Sequence, residues 1–216
     1  MKFKLFSKLA SLEGTERILF LVAAAVAAAL AAAVWRYRKQ PHQKPAGSRT
    51  RALVYGALSL TASFVLSYFK LFSMPFGGSI TLVSMLPLML YAYAFGPGYG
   101  FTAAFAYALL QIVQGAWIVH PVQFVLDYFA AFLCLGIPSL FPDALSVGVS
   151  VGGLARMLVS TVSGAVFFKD GGIEYGIANP WLYSFLYNAM TIGVDTLLCV
   201  LVSRVKALRS LADRMK

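Results

Sequence analysis

The chain has 216 residues, of which 60% are hydrophobic and only 12% charged, and its mean hydropathy is +0.77. A water-facing domain carries about a quarter charged residues, so this composition excludes a soluble globule and points to an all-α integral membrane protein. The net charge of +10 does not mark a nucleic-acid binder, because the basic residues flank apolar runs. That is the pattern of cytoplasmic loops facing anionic membrane lipid.

In chain order, residues 18–35 (ILFLVAAAVAAALAAAVW) form a first apolar run behind a basic N-terminus. A retained anchor helix and a cleaved signal-like segment both have this form. The cluster Arg36, Arg38, Lys39, Lys44, Arg49 and Arg51 directly after it favours the anchor. The chain therefore divides into an N-terminal segment with an anchor helix (1–35), a basic cytoplasmic linker (36–50), a membrane domain (51–204) and a basic cytoplasmic tail (205–216).

Six further spans are predicted, near 52–70, 79–95, 98–116, 121–141, 148–168 and 180–203, each close to the length that crosses a bilayer. Breakers separate them: Gly77-Gly78, Gly96-Pro97-Gly98, His120-Pro121, Pro142, Gly171-Gly172 and Asn179-Pro180. Basic clusters bracket the set, Arg204, Lys206, Arg209, Arg214 and Lys216 closing it. Both ends of the bundle are then cytoplasmic, which requires an even number of crossings and a multi-pass protein of the plasma membrane. The loops near 71–78, 116–121 and 169–180 fall outside, and the turns near 96–98 and 142–147 inside.

An ionisable side chain within a membrane helix costs on the order of 3 kcal/mol, so each needs a partner or a task. Three qualify: Asp127, Arg156 and Asp195. Arg156 and Asp195 each lie about eight residues from the inner ends of the fifth and sixth spans. Antiparallel neighbours would bring them to one depth, where a structural ion pair is expected; a coupling or ligand role is the alternative. Asp127 lies about six residues inside the fourth span, with Gln123 one turn earlier and Tyr128 directly after. No basic side chain matches its depth. Such a carboxylate either invites a cationic ligand from outside or sits protonated or solvated in a packing role.

Polar stripes support a site. Arg156, Ser160, Ser163/Gly164 and Phe167 share one face of the fifth span, and Ser184, Asn188, Thr191 and Asp195 one face of the sixth. In lipid such stripes face the bundle interior, as helix glue or as a binding surface. Aromatic residues gather at the outer level: Trp117, Tyr128, Phe167, Phe168, Tyr175, Trp181, Tyr183 and Tyr187. They belong to an interfacial belt, and some can wall a flat or cationic ligand.

Catalytic motifs are wanting. Gly148-Val149-Ser150-Val151-Gly152 spells a nucleophile elbow, but it opens a membrane helix with no histidine at its end. No phosphate loop, paired carboxylates or metal set is present, and Cys134 and Cys199 stand alone. Neither an enzyme nor a cofactor is indicated.

The segments GGSITLVSMLPLML (77–90), HPVQFVLDYFAAF (120–132), GLARMLVSTVSGAVFF (153–168) and NPWLYSFLYN (179–188) carry a resemblance. Over residues 52–203 the chain resembles the thiamine-specific substrate-binding (S) components of energy-coupling factor vitamin transporters. The resemblance implies a six-helix S-component bundle, here with one additional N-terminal transmembrane helix. It also implies high-affinity thiamine binding at the outer face. Delivery would be to an ATP-driven module of one energy-coupling T component and two ATPase subunits.

Residue by residue, Asp127-Tyr128 matches the family's acidic–aromatic pair that faces the vitamin, with aspartate where a relative has glutamate. Tyr183 and Asn188 match ligand contacts, Gly164 a small position, and Trp117 and Phe168 aromatic contacts. Ser160 stands where a relative has histidine, and Leu82 where one has an acidic residue. Gln123 and Trp181 join the candidate set through their places beside Asp127 and at the outer aromatic level. S components of this family also dock through small residues of their first helix. Here Ala52-x-x-x-Gly56, Ala57-x-x-x-Thr61 and Ser59-x-x-x-Ser63 supply such surfaces, or ordinary helix packing. An S component for another small vitamin or a thiamine precursor, a ligand-free scaffold and a self-sufficient carrier are the competing readings.

Overall fold

The structure, a computed structural model, describes residues 49–74 and 77–215. The apolar run 18–35, the linker residues 36–48 and Lys216 lie outside the described residues. Helix α1 (Arg49–Tyr68) leads into a hairpin of β1 (Lys70–Ser73) and β2 (Ser79–Thr81), paired antiparallel with Phe72 opposite Ile80. Then follow α2 (Leu86–Phe95), α3 (Pro97–Gly115), α4 (Pro121–Leu140), α5 (Leu145–Phe167), α6 (Pro180–Ser203) and α7 (Lys206–Met215).

The helix starts are written locally. Proline occupies the first turn of α2, α3, α4 and α6, where its missing N–H is no loss. Asn179 caps α6, its Oδ1 accepting from the amides of Trp181 (2.9 Å) and Leu182 (3.2 Å). His120 caps α4, its Nδ1 accepting from the amide of Val122 at 3.1 Å.

Among the described residues four helices, α1, α4, α5 and α6, are long and apolar enough to cross a membrane, and α3 has a comparable length of 19 residues. The expected span 79–95 takes a different form. It divides into β2, a turn and the ten-residue α2, which at about 1.5 Å per residue reaches half of a bilayer core. Val83 in that turn has a φ of 49°, a conformation rare for a β-branched residue. Among the described residues the hairpin is thus the exception to an otherwise helical fold.

Nine of the ten residues of α2 are buried, so this helix has no lipid-facing stripe and forms the centre of the bundle. It packs on α1, α3, α7 and the end of α4. Small residues of α5 allow close contacts with its neighbours α4 and α6. A Cβ on Gly153 would lie 2.2 Å from Thr196 Cγ2 across the α5–α6 crossing. On Gly148 and Gly152 it would lie 2.8 Å from Pro138 Cα and 2.9 Å from the Cys134 carbonyl oxygen. The Gly-x-Ser-x-Gly sequence is therefore a helix-packing surface.

The small residues of α1 are divided between two faces. Ala52, Gly56, Ser59 and Ser63 are buried against the bundle. Tyr91 Oη donates to the Ala52 carbonyl at 3.1 Å, and the Leu88 amide donates to Ser63 Oγ at 3.2 Å. These four residues pack α1 against the bundle, the ordinary helix-packing alternative for their spacing. Ala57 and Thr61 are exposed, beside Leu53, Val54 and Leu58.

The end of the chain is also more ordered than a basic tail. In α7 the side chains of Ala212 and Met215 are buried, while Lys206, Arg209 and Arg214 stay exposed. Arg209 Nη2 donates to Ser146 Oγ at 3.3 Å, and Arg51 Nη2 donates to the carbonyl of Arg214.

Candidate functional site

The C-terminal ends of α1, α3 and α5, the N-terminal halves of α4 and α6, and the hairpin surround a cavity of about 270 Å³. Pockets of a few hundred Å³ hold small organic ligands. Two of the helices leave the α-helical path beside it. The segment Val125–Ala130 of α4 and the segment Ala189–Gly193 of α6 are π-helical. Such widened turns recur at functional sites because they re-aim side chains. The first carries Asp127 and Tyr128, and the second separates Asn188 from Asp195.

Asp127 is held by two donors on one oxygen. Gln123 Nε2 reaches its Oδ2 at 2.8 Å and Ser163 Oγ reaches it at 2.9 Å. Gln123 also donates to the Trp117 carbonyl at 3.1 Å and accepts from the Val119 amide at 3.2 Å. The loop before α4 therefore orients the residue that orients the carboxylate. No salt bridge reaches Asp127 among the described residues. Beside it, Phe124, Tyr128 and Phe132 stand one turn apart, their rings 5.6 and 6.4 Å apart in succession. The site thus sets a carboxylate next to aromatic faces, which suits a cation.

The opposite wall comes from α5 and α6. Gly164 lets the two helices meet, since a Cβ there would fall 2.3 Å from Ser184 Oγ. Asn188 Nδ2 donates to the Ser184 carbonyl at 2.9 Å; its Oδ1 carries no hydrogen bond among the described residues. Tyr183 lies 6.1 Å from Tyr175 in a stacked pair and 6.0 Å from Tyr187.

Nine of the ten candidate ligand residues line this one cavity: Trp117, Gln123, Asp127, Tyr128, Ser160, Gly164, Phe168, Tyr183 and Asn188. Trp181 does not. It is buried in the first turn of α6, outside the cavity lining. Arg156 and Asp195 reach the cavity as well, but the expected ion pair between them is not formed among the described residues. The Arg156 guanidinium instead lies 4.2 Å from the centre of the Phe132 ring, and Asp195 Oδ2 accepts from Thr81 Oγ1 at 2.9 Å. The hairpin and the aromatic wall each offered one of the charges a nearer partner.

Sequence reasoning missed the contribution of α3 and the hairpin. Tyr107, Gln111 and Gln114 line the cavity at helical spacing. Gln114 Oε1 accepts from Ser67 Oγ at 3.0 Å, and Tyr107 Oη donates to the Ser63 carbonyl at 3.2 Å. Two glutamines and a tyrosine on one face of a membrane helix form the same kind of polar stripe as in α5 and α6, and that was the available signal. Gly78, Thr81 and Ser84 enter only because the chain turns back as a hairpin.

The fold and the cavity together describe a multi-pass helical membrane protein with a polar, aromatic-walled site for a small solute at one end of its bundle. The chain belongs to the thiamine transporter protein family (Thia_YuaJ), whose model matches residues 53–212, a stretch that contains the whole cavity lining. It is 32% identical over 147 residues to the thiamine transporter ThiT of Bacillus subtilis (strain 168), across 60% of this chain and 75% of that protein. Its fold is similar to a solved structure of ThiT from Listeria monocytogenes. The TM-score is 0.59 and the identity 21%, over 78% of this chain and 95% of that one; this likeness speaks to the fold alone.

Proposed function

We propose that the cavity captures thiamine at the outer face of the plasma membrane, and that this chain is the S component that hands the vitamin to an energy-coupling T component and two ATPase subunits. The observation that carries the reading is Asp127. It is a cavity carboxylate held on one oxygen by Gln123 and Ser163, beside the ring of Tyr128. A thiazolium cation supplies the missing countercharge, and an aromatic face adds about 1–2 kcal/mol when desolvated. Asn188, with an unengaged amide oxygen, suits an aminopyrimidine, to which an amide can both donate and accept.

The orientation follows from charge. Arg49 and Arg51 begin α1, while Arg204, Lys206, Arg209 and Arg214 follow α6. All lie at the end away from the cavity, the cytoplasmic end under the positive-inside rule. The exposed face of α1 around Ala57 and Thr61 is then the part of the docking surface that remains open to the T component.

Titration of the purified protein tests the reading. Thiamine is expected to saturate a single site and to raise the thermal midpoint, with Asp127→Asn weakening binding far more than folding. Unchanged fluorescence and stability across a thiamine titration would overturn it. Uptake into liposomes by this chain alone would overturn the dependence on an ATPase module.

A further inference from the structure

Arg156 and Asp195 both line the cavity, yet no ion pair joins them among the described residues. Each keeps a buried polar atom without a hydrogen-bond partner among the described residues, Nε of Arg156 and Oδ1 of Asp195. Asp195 is only 4% exposed. Its second oxygen is fixed by Thr81 Oγ1 at 2.9 Å, and that hydroxyl is in turn 2.7 Å from Ser84 Oγ. The Arg156 guanidinium rests against Phe132, whose ring stacks with that of Tyr128. Both charges are thus anchored by their surroundings and held apart from one another. Buried charged atoms without partners are costly, and the arrangement calls for a third group that accepts from the guanidinium and donates to the carboxylate. A hydroxyl does both through one oxygen.

We propose that Arg156 and Asp195 read the alcohol of the ligand, the guanidinium donating to the hydroxyl oxygen and Asp195 accepting the hydroxyl hydrogen. The inference rests on the reading of the cavity as a thiamine site. Thiamine carries its alcohol on a two-carbon arm of the cationic ring. The Tyr128–Phe132 wall runs from Asp127, which meets the ring, to Arg156, which meets the arm. A phosphate ester at the same oxygen has no hydrogen for Asp195 and sets a second negative charge beside that carboxylate. The pair therefore selects the free alcohol against its ester, by a repulsive element as well as an attractive one. Lys70 is exposed at the rim.

Calorimetric titration of the detergent-solubilised full chain with three ligands tests this: thiamine, thiamine monophosphate and the analogue with an ethyl group in place of the hydroxyethyl arm. Wild-type protein is expected to bind the last two at least about tenfold more weakly than thiamine, the order of loss when buried polar groups are left unpaired. Asp195→Asn is expected to narrow the alcohol-to-ester ratio severalfold, whereas Asp127→Asn weakens all three ligands and keeps their ratios. Binding of thiamine and the ethyl analogue within about twofold of one another, or an unchanged ratio in a folded Asp195→Asn protein, overturns the inference. The ligand series on wild-type protein decides the matter even where the variant does not fold. Failure of wild-type protein to bind thiamine at all would instead overturn the reading of the site.

Discussion

The amide of Gly78 donates a 2.8 Å hydrogen bond to the phenol oxygen of Tyr187, 109 residues further along the chain. The hairpin is thereby fastened to α6 at the cavity wall. A matching bond on the other side joins the Trp117 amide to Tyr128 Oη at 2.7 Å. Two cavity-lining tyrosines thus hold two of the connections that close this end of the bundle.

Tyr187→Phe keeps the ring and removes the hydrogen bond to the hairpin. A loss of about 1 kcal/mol is expected, seen as a lower thermal midpoint and as faster thiamine dissociation in stopped-flow measurements. Gly78→Ala should act more strongly, because its Cβ would come within 2.2 Å of the same oxygen. A Tyr187→Phe protein with wild-type stability and release rate would show that the bond does not hold the hairpin.

At the carboxylate the two donors predict a graded series. Asp127→Asn removes the charge with little change of shape and should cost roughly 2 kcal/mol of thiamine affinity. Ser163→Ala removes one of the two bonds to Oδ2 and should cost about 1 kcal/mol. Isothermal titration measures both, and equal losses would contradict the separate roles.

These residues were legible because a charge in lipid demands an account. Asp127 and the stripes Arg156–Ser160–Gly164 and Ser184–Asn188–Asp195 could be read from cost and helical period. Phe132, Tyr107 and the glutamines of α3 carry no charge, so the same cost argument passes over them. The depth argument put Arg156 and Asp195 at one level and expected an ion pair there, but could not foresee Thr81, whose hydroxyl arrives on a strand. Nothing in Val125–Ala130 or Ala189–Gly193 advertises a π turn, since that geometry answers to packing around the cavity and not to local propensity. The burial of Ala52 and Gly56 likewise depends on Tyr91, a residue of another helix.

Tryptophan fluorescence separates rim from core. Trp117 lines the cavity and is 53% exposed, whereas Trp181 is buried outside the lining. The change in emission on adding thiamine should disappear in Trp117→Phe and persist in Trp181→Phe. The opposite pattern would move the binding site away from this cavity.

Gly153→Ala tests the α5–α6 crossing. The added methyl would meet Thr196, whose atoms lie 2.2–2.8 Å from the new Cβ, and overpacking of this kind costs about 1–3 kcal/mol. Thr196→Ala clears that space and removes a buried hydroxyl that has no hydrogen-bond partner among the described residues. The double variant should therefore recover much of the stability lost by Gly153→Ala, and thermal unfolding of the four proteins gives the coupling directly. Simple additivity of the two effects would place the contact elsewhere.

The contact between Arg51, at the start of α1, and the Arg214 carbonyl, in the last turn of α7, brings the two ends of the bundle together. In topological terms the domain is a nearly closed ring of chain. A short linker from residue 215 back to residue 49, with new termini cut in the turn near residues 141–144, should give a circular permutant that keeps the same cavity, as adjacent termini commonly permit. Residues 49 and 215 therefore lie close together, at the end of the bundle away from the cavity.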